Sequence, residues 1–385
     1  MRIYLDNAAT TPLSLDVFQA MQPYFFENFG NPSSAHAYGR AAKNALEKSR
    51  STIADLLNTA PDHIIFTSGG TEADNAAILS AIRTDTIKFA VTTPFEHHAV
   101  LNTLRTLEKE GEIELAYLEH DEKGNLSISH LDQLLATHEK AFVSVMHGNN
   151  EVGNLNDIEE IAEVCRKYGA VFHSDTVQTM GQYQYDTQQF KADFLVGSAH
   201  KFHGPKGVGF LYKRSAEVIR PHINGGSQEK SQRSGTENLT GIVGLAKALE
   251  LAYSNKDNYQ HHISNLKNRM IEQLVHQIPG LRFNGNSADP KLSLSTVLSV
   301  SLPELTNGDS PLNYLDEHGI CASGGSACSS RSATGSHVLS ALGGNFGRNT
   351  IRFSFGRYNT AEEIDYTAEK LGDLFVRDKV LTLAS

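Results

Sequence analysis

Cysteine is scarce in this sequence: 385 residues contain only Cys165, Cys321 and Cys328. Three thiols cannot all pair within one chain, and their spacing is no zinc pattern. A disulfide scaffold is excluded, and a reducing compartment is expected. Long apolar runs are lacking too, since none approaches the roughly 18 residues of a membrane span. The opening Met1-Arg2-Ile3-Tyr4-Leu5-Asp6 meets an acid before a secretory core can form. Excess positive charge is also missing. Lys and Arg number 34 against 44 Asp and Glu, a formal net charge of −10. That balance disfavours direct binding to nucleic acid or to an anionic membrane. No fixed-period repeat and no low-complexity segment breaks the chain. What is present is an ordinary globular composition, 39% hydrophobic and 20% charged. A cytoplasmic, soluble protein is expected, and at roughly 150 residues per domain the length points to two domains.

Helical and strand patterns alternate over the first two-thirds. Residues 36–57 place Ala41, Ala45, Ile53, Leu56 and Leu57 at helical spacing, and Ile64-Ile65-Phe66 then reads as a strand. Short apolar strands recur at 88–92, 141–146, 170–174 and 193–197, with helical patterns at 98–110 and 157–168. Strand, helix, strand at this spacing predicts parallel βαβ units with helices on both faces, an α/β fold. The last third differs. It has helical patterns at 238–253 and 258–277, short strands at 281–284, 296–301 and 351–355, and a helix at 361–376. A smaller α+β domain beginning near 255 is expected.

Four segments carry chemistry. Ser68-Gly69-Gly70-Thr71-Glu72 joins a strand to a helix, where free N–H groups can hold an anion. It does not have the form of a nucleotide P-loop. Asp175 follows the strand Ala170-Val171-Phe172, and carboxyl ends of parallel strands are where ligands sit. A carboxylate there can keep a pyridine nitrogen protonated, and Gln178 could present its amide to the same ring. As an isolated acid, Asp175 reads equally as a turn cap. Ser198-Ala199-His200-Lys201-Phe202-His203-Gly204-Pro205-Lys206-Gly207 follows another strand. A half-buried lysine suits Schiff-base chemistry, and the residues alone do not choose between Lys201 and Lys206. Cys328 lies in a run of Gly, Ser, Ala and Thr with Arg331 nearby, which suits a reactive thiolate. Cys165 reads as packing on a helix face and Cys321 as a strand residue.

These segments, in this order, resemble the cysteine desulfurases of the class V aminotransferase group, pyridoxal-phosphate enzymes of fold type I. The resemblance runs from Tyr4-Leu5-Asp6-Asn7-Ala8-Ala9-Thr10-Thr11-Pro12 and Gly30-Asn31-Pro32-Ser33-Ser34 through Glu96-His97-His98-Ala99-Val100 and Asn149-Asn150-Glu151-Val152-Gly153. It continues through Ser198 to Gly207 and Arg233-Ser234-Gly235-Thr236, and ends with Ser326-Ala327-Cys328 and Ile351-Arg352-Phe353-Ser354. The long segment around Cys328 is similar to the nitrogen-fixation and housekeeping iron–sulfur branch.

The resemblance implies a large domain, 15–255, with a mostly parallel seven-stranded sheet between helices. A small α+β domain, 1–14 with 256–385, would carry the cysteine loop at about 323–336. It also implies roles for residues. Lys201 rather than Lys206 would bond the cofactor. Asp175 would pair with the pyridine nitrogen, Gln178 with the phenolic oxygen, and His97 would stack on the ring and move protons. Gly70, Thr71, Ser198 and His200 would hold the phosphate, with Thr236 reaching the cofactor of a second subunit in a homodimer. Asn150, which would also contact the cofactor, and Arg352 would bind the substrate, L-cysteine. Cys328 would take its sulfur as a persulfide, for an iron–sulfur scaffold or another acceptor, and is also the candidate ligand of a transient iron–sulfur cluster. A lyase acting on selenocysteine or cystine would share the cofactor site without needing Cys328. Two departures stand out. Ser174-Asp175-Thr176 replaces the family's Val-Asp-Ala, and the chain stops soon after its last helix, where housekeeping members have a longer tail that docks the scaffold.

Overall fold

A computed structural model describes residues 2–84, 86–214, 219–306, 308–324, 335–343 and 349–384. Cys328 and most of the segment around it lie outside these residues. The strands are β1 (Ile3–Tyr4), β2 (Ile64–Thr67), β3 (Phe89–Thr92), β4 (Glu114–Tyr117), β5 (Ala141–Ser144) and β6 (Val171–Ser174). They continue with β7 (Phe194–Ser198), β8 (Gly209–Lys213), β9 (Arg282–Phe283), β10 (Val297–Ser301), β11 (Ile320–Cys321) and β12 (Thr350–Ser354).

Seven of them form one sheet in the order β2-β8-β7-β6-β5-β3-β4. All its pairings are parallel except those of β8, which runs antiparallel to both β2 and β7. Apart from the edge strand β4, the sheet is buried on both faces, so its strands are mostly apolar and successive side chains enter opposite cores. Ile64, Phe66, Val91, Val143 and Leu195 join one apolar cluster with helices Ala37–Leu56, Ile158–Tyr168 and Leu239–Ser254. Ile65, Ala90, Phe142 and Val196 join another with helices Gly70–Thr84 and His98–Lys109. The sequence missed β4 and β8 for different reasons. β4 is an edge strand that buries none of its residues fully, and Gly209-Phe210-Leu211-Tyr212-Lys213 follows a glycine-rich turn with no helix in between.

A second core gathers on the antiparallel sheet β12-β10-β9. Helices Lys256–Gln277 and Ala361–Ala384 pack there, the latter running beyond its expected end at 376. Ile3 and Leu5 join this core, and β1 pairs in parallel with β11. Val17 and Met21 belong to the large sheet's core instead. Among the described residues no helix is long and apolar enough to cross a membrane.

The parallel connections bring the carboxyl ends of β2, β3, β5, β6 and β7 to one edge of the large sheet. The seam with the second core lies along that edge.

Candidate active site

A cavity of about 250 Å³ opens at this edge. Gly70 and Thr71 begin the helix after β2, with backbone N–H groups unclaimed by the helix itself. A Cβ on Gly70 would lie 2.7 Å from Val177 Cγ2, so glycine is required for the helix to approach the turn after β6. Ser198 ends β7, and a short helical turn, Ala199–Lys201, aims His200 and Lys201 at the same space.

Lys201 Nζ donates to the carbonyls of Ala8 and Ala9, the latter at 3.0 Å. Gln178 Nε2 donates to Ala8 O at 3.0 Å. The N-terminal segment therefore closes one wall, and its contacts to Lys201 and Gln178 are made by backbone carbonyls. Asp175 is buried, and its Oδ1 accepts the Val177 N–H at 2.9 Å. Burial raises its carboxyl above the ordinary range, while His97, that N–H and Lys201 pull it back.

His97 caps the helix His98–Lys109, its Nδ1 accepting the Ala99 N–H at 3.1 Å. An accepting Nδ1 leaves the proton of the neutral ring on Nε2. Burial, reinforced by Lys201 and His337, holds the imidazole below its ordinary pKa against Asp175 and Glu151. His200 bonds Thr10 Oγ1 at 3.1 Å and is pushed down to about 4 by burial, Lys201 and Lys206.

Arg352 projects from β12 and is 1% exposed. It donates to Asp6 Oδ1 at 2.7 Å and to the Asn150 carbonyl at 2.9 Å. Its buried Nε has no partner among the described residues. Ser323 Oγ donates to the same Asp6 oxygen at 2.8 Å.

The cavity thus brings together Gly70, Thr71, His97, Asn150 and Asp175 with Gln178, Ser198, His200, Lys201 and Arg352. Thr236 is not among its lining residues and lies exposed. Its segment is anchored through Glu229, which takes Arg50 in a two-bonded pair, both at 2.7 Å, and the Phe66 N–H at 3.0 Å. That anchor offsets the left-handed backbone of Glu229, Lys230 and Ser231, with φ of 45°, 56° and 67°.

Three acids carry no role in the sequence reading. Asp6 and Glu96 stand inside quoted motifs, but nothing in those motifs says what they touch. Asp74 leaves a faint signal, an acid on the alanine face of a buried helix.

The sequence profile of the aminotransferase class-V family matches residues 3–367. The chain belongs to that family. A cysteine desulfurase IscS of Dictyoglomus turgidum is 41% identical over 374 residues, covering 96% of this chain and 93% of that relative. Among solved structures, a NifS-like protein superposes with a TM-score of 0.88 at 34% identity, over 98% of this chain and 100% of its own. SspA in complex with cysteine superposes with a TM-score of 0.80 at 31% identity, over 94% and 100%.

The class-V fold is the expected fold type I, and its cofactor is pyridoxal phosphate. This cavity fits that group. It offers an amine at Lys201, a buried carboxyl at Asp175 for a ring nitrogen, and a helix start at Gly70–Thr71 for a phosphate. Buried Arg352 Nε, without a hydrogen-bond partner among the described residues, marks polar capacity that the protein leaves to something else.

Proposed function

We propose that this class-V enzyme is a cysteine desulfurase that removes sulfur from L-cysteine, leaving L-alanine and a persulfide on Cys328. One observation carries the reading. Lys201, Asp175, His97 and Arg352 converge on a single cavity between the two cores, in a chain 41% identical to a curated cysteine desulfurase.

Pyridoxal phosphate, when bound, supplies an electron sink for the α-carbon of an amino acid. Lys201 Nζ would be the amine that holds the cofactor and, once free, the base that would take and return the Cα proton of the substrate. Asp175 would keep the ring nitrogen protonated, and Gln178 would serve the phenolic oxygen. Neutral His97, which lines the cavity, would offer its Nε2–H as a proton donor at the cofactor. Gly70, Thr71, Ser198 and His200 bind the phosphate, helped by the positive end of the helix after β2. Arg352 Nε, with one terminal nitrogen, takes the substrate carboxylate as a fork, beside Asn150. The Cys328 thiolate then attacks the substrate sulfur. An S–S bond forms and the C–S bond breaks, its electron pair passing to carbon, which is protonated to give alanine.

The finer parts of this reading follow. The chain divides into a 15–255 domain and a second formed by 1–14 with 256–385. It works as a homodimer, supported by exposed Leu15, Phe18, Phe25, Phe26, Phe29 and Tyr38 close together in the sequence near the N-terminus and by a Thr236 that is exposed and does not line its own cavity. It acts in a reducing cytoplasm and hands sulfur to an acceptor protein, an iron–sulfur scaffold being one candidate.

The test is alanine and sulfide production from L-cysteine by the purified holoenzyme. Cys328→Ala should abolish sulfur release and keep the visible absorbance of the bound cofactor. Undiminished turnover in that variant would replace the reading with a selenocysteine or cystine lyase.

A further inference from the structure

A second carboxyl lies behind Asp175. Asp74 sits on the buried face of helix Gly70–Thr84, between Ala73 and Ala76, and is 1% exposed. One of its oxygens, an Asp175 oxygen and a His97 nitrogen all lie within 4.8 Å of one another. The titratable groups facing it are Asp175 and His173 from β6 and its end, and Glu96 and His97 from the turn before helix His98–Lys109. Its Oδ1 is 3.3 Å from His173 Nε2, but the two are not aligned to bond, and neither has a hydrogen-bond partner among the described residues. His173 is fully buried, bonds Ser144 Oγ at 2.8 Å, and is pushed down to about 3 by burial, so it brings no positive charge. No lysine or arginine among the described residues pairs with Asp74.

Two buried carboxyls this close do not both ionise. The surroundings decide which keeps the proton. Asp175 has the Val177 N–H at 2.9 Å and lies near Lys201, both of which favour its charge, whereas His97 lies within 4.8 Å of both acids and does not choose between them. Asp74 accepts no such N–H among the described residues: its charged neighbours are the acids Asp175 and Glu96, the imidazoles of His97 and His173 beside it are both held below their ordinary pKa by burial, and its carboxyl is raised well above the ordinary range by burial and by those two acids.

We propose that Asp74 is a positioning residue that holds the proton of this acid pair and so keeps Asp175 as the carboxylate that retains the cofactor's ring nitrogen. The inference rests on the pairing given to Asp175 under Proposed function. It adds that the electron sink is set by two acids of unequal role, the outer one charged and the inner one neutral. The inner acid also explains how one face of the cavity tolerates so much buried carboxyl, because most of it is uncharged.

Infrared spectroscopy of the holoenzyme at pH 7 reads this directly. The wild type should show the carbonyl stretch of protonated carboxylic acids, one component vanishing in Asp74→Asn and another in Glu96→Gln. Asp74→Asn, an uncharged stand-in, should hold pyridoxal phosphate within about threefold of wild type, whereas Asp175→Asn should lose about tenfold or more. In an alkaline titration the wild-type visible absorbance should show a transition, as Asp74 gives up its proton, that Asp74→Asn lacks. The wild-type measurement needs no variant to fold. Absence of any acid band at pH 7, or a band set unchanged in Asp74→Asn, overturns the proposal. A band lost as expected, with cofactor affinity intact in Asp175→Asn, would instead remove the pairing on which it rests.

Discussion

The two walls of the cavity treat buried charge in opposite ways. The wall from the large sheet holds Asp74 and Asp175, with Glu96 buried outside the lining, all three raised by burial and none in an ion pair with a lysine or arginine among the described residues. The wall from the second core holds Arg352, equally buried but matched by Asp6 at 2.7 Å, with Ser323 fastening the same carboxylate. A buried charge with its partner resists removal of that partner, because the survivor is left desolvated and alone. A buried acid without a partner costs stability, and such a cost persists where a ligand later supplies the missing charge or proton. The first wall is therefore built for chemistry, and the second holds the seam while it waits for a carboxylate.

The largest expected effect falls on the chemical wall. Lys201→Ala should cut alanine formation by about 10³-fold or more, with the melting temperature little changed; a loss under about tenfold would remove Lys201 from the reaction. Next comes the paired wall. Asp6→Ala leaves Arg352 buried without its carboxylate and should cost about 3 kcal/mol in urea unfolding. Asp6→Asn, which can still accept both hydrogen bonds, should cost clearly less.

The contrast is sharpest in sign. Glu96 accepts the Met146 N–H at 2.7 Å through Oε1, while Oε2 has no partner among the described residues. Its folded pKa is raised, so the stability it lends is present at acid pH and is lost as pH rises through that value. Glu96→Gln cannot suffer that loss. At pH 8 the cofactor-free variant should be more stable than wild type by about 1 kcal/mol, and a destabilisation there would break the comparison.

The smallest effect near neutral pH comes from buried histidines, whose contribution changes only along the acid limb of the stability curve. His147 and His203 are held down to about 4 and His173 to about 3, chiefly by burial. The unfolded chain takes up their protons first, so stability is full above pH 6.5 and falls between there and about 4. Replacing His147 by Gln should flatten this limb in a series of urea titrations. His147 lies outside the cavity, with its Nδ1 2.5 Å from Tyr185 OH, so cofactor binding should not change.

Much of this was legible in the chain itself. The βαβ rhythm shows because parallel strands buried on both faces must be apolar throughout. The Lys201 turn and the Gly70 turn show because each stands directly after such a strand. β4 did not show, because an exposed edge strand lacks that pattern, nor did β8, whose antiparallel return needs no helix. Lys201 and Lys206 could not be separated from local residues, since both occupy the same turn, yet only Lys201 lines the cavity. Asp74, Glu96 and Asp6 were silent for another reason. An acid's role depends on whether a cation lies within reach, and their relevant neighbours include residues as far along the chain as Arg352, 346 positions from Asp6.

By itself the sequence determined the fold class, the family it resembles and the reactive groups available, because periodicity and strand-end position are local properties. Only the tertiary structure decided which acids stand alone and which are paired. Desolvation and charge pairing are set by what the fold brings within a few ångströms, and no spacing along the chain records that.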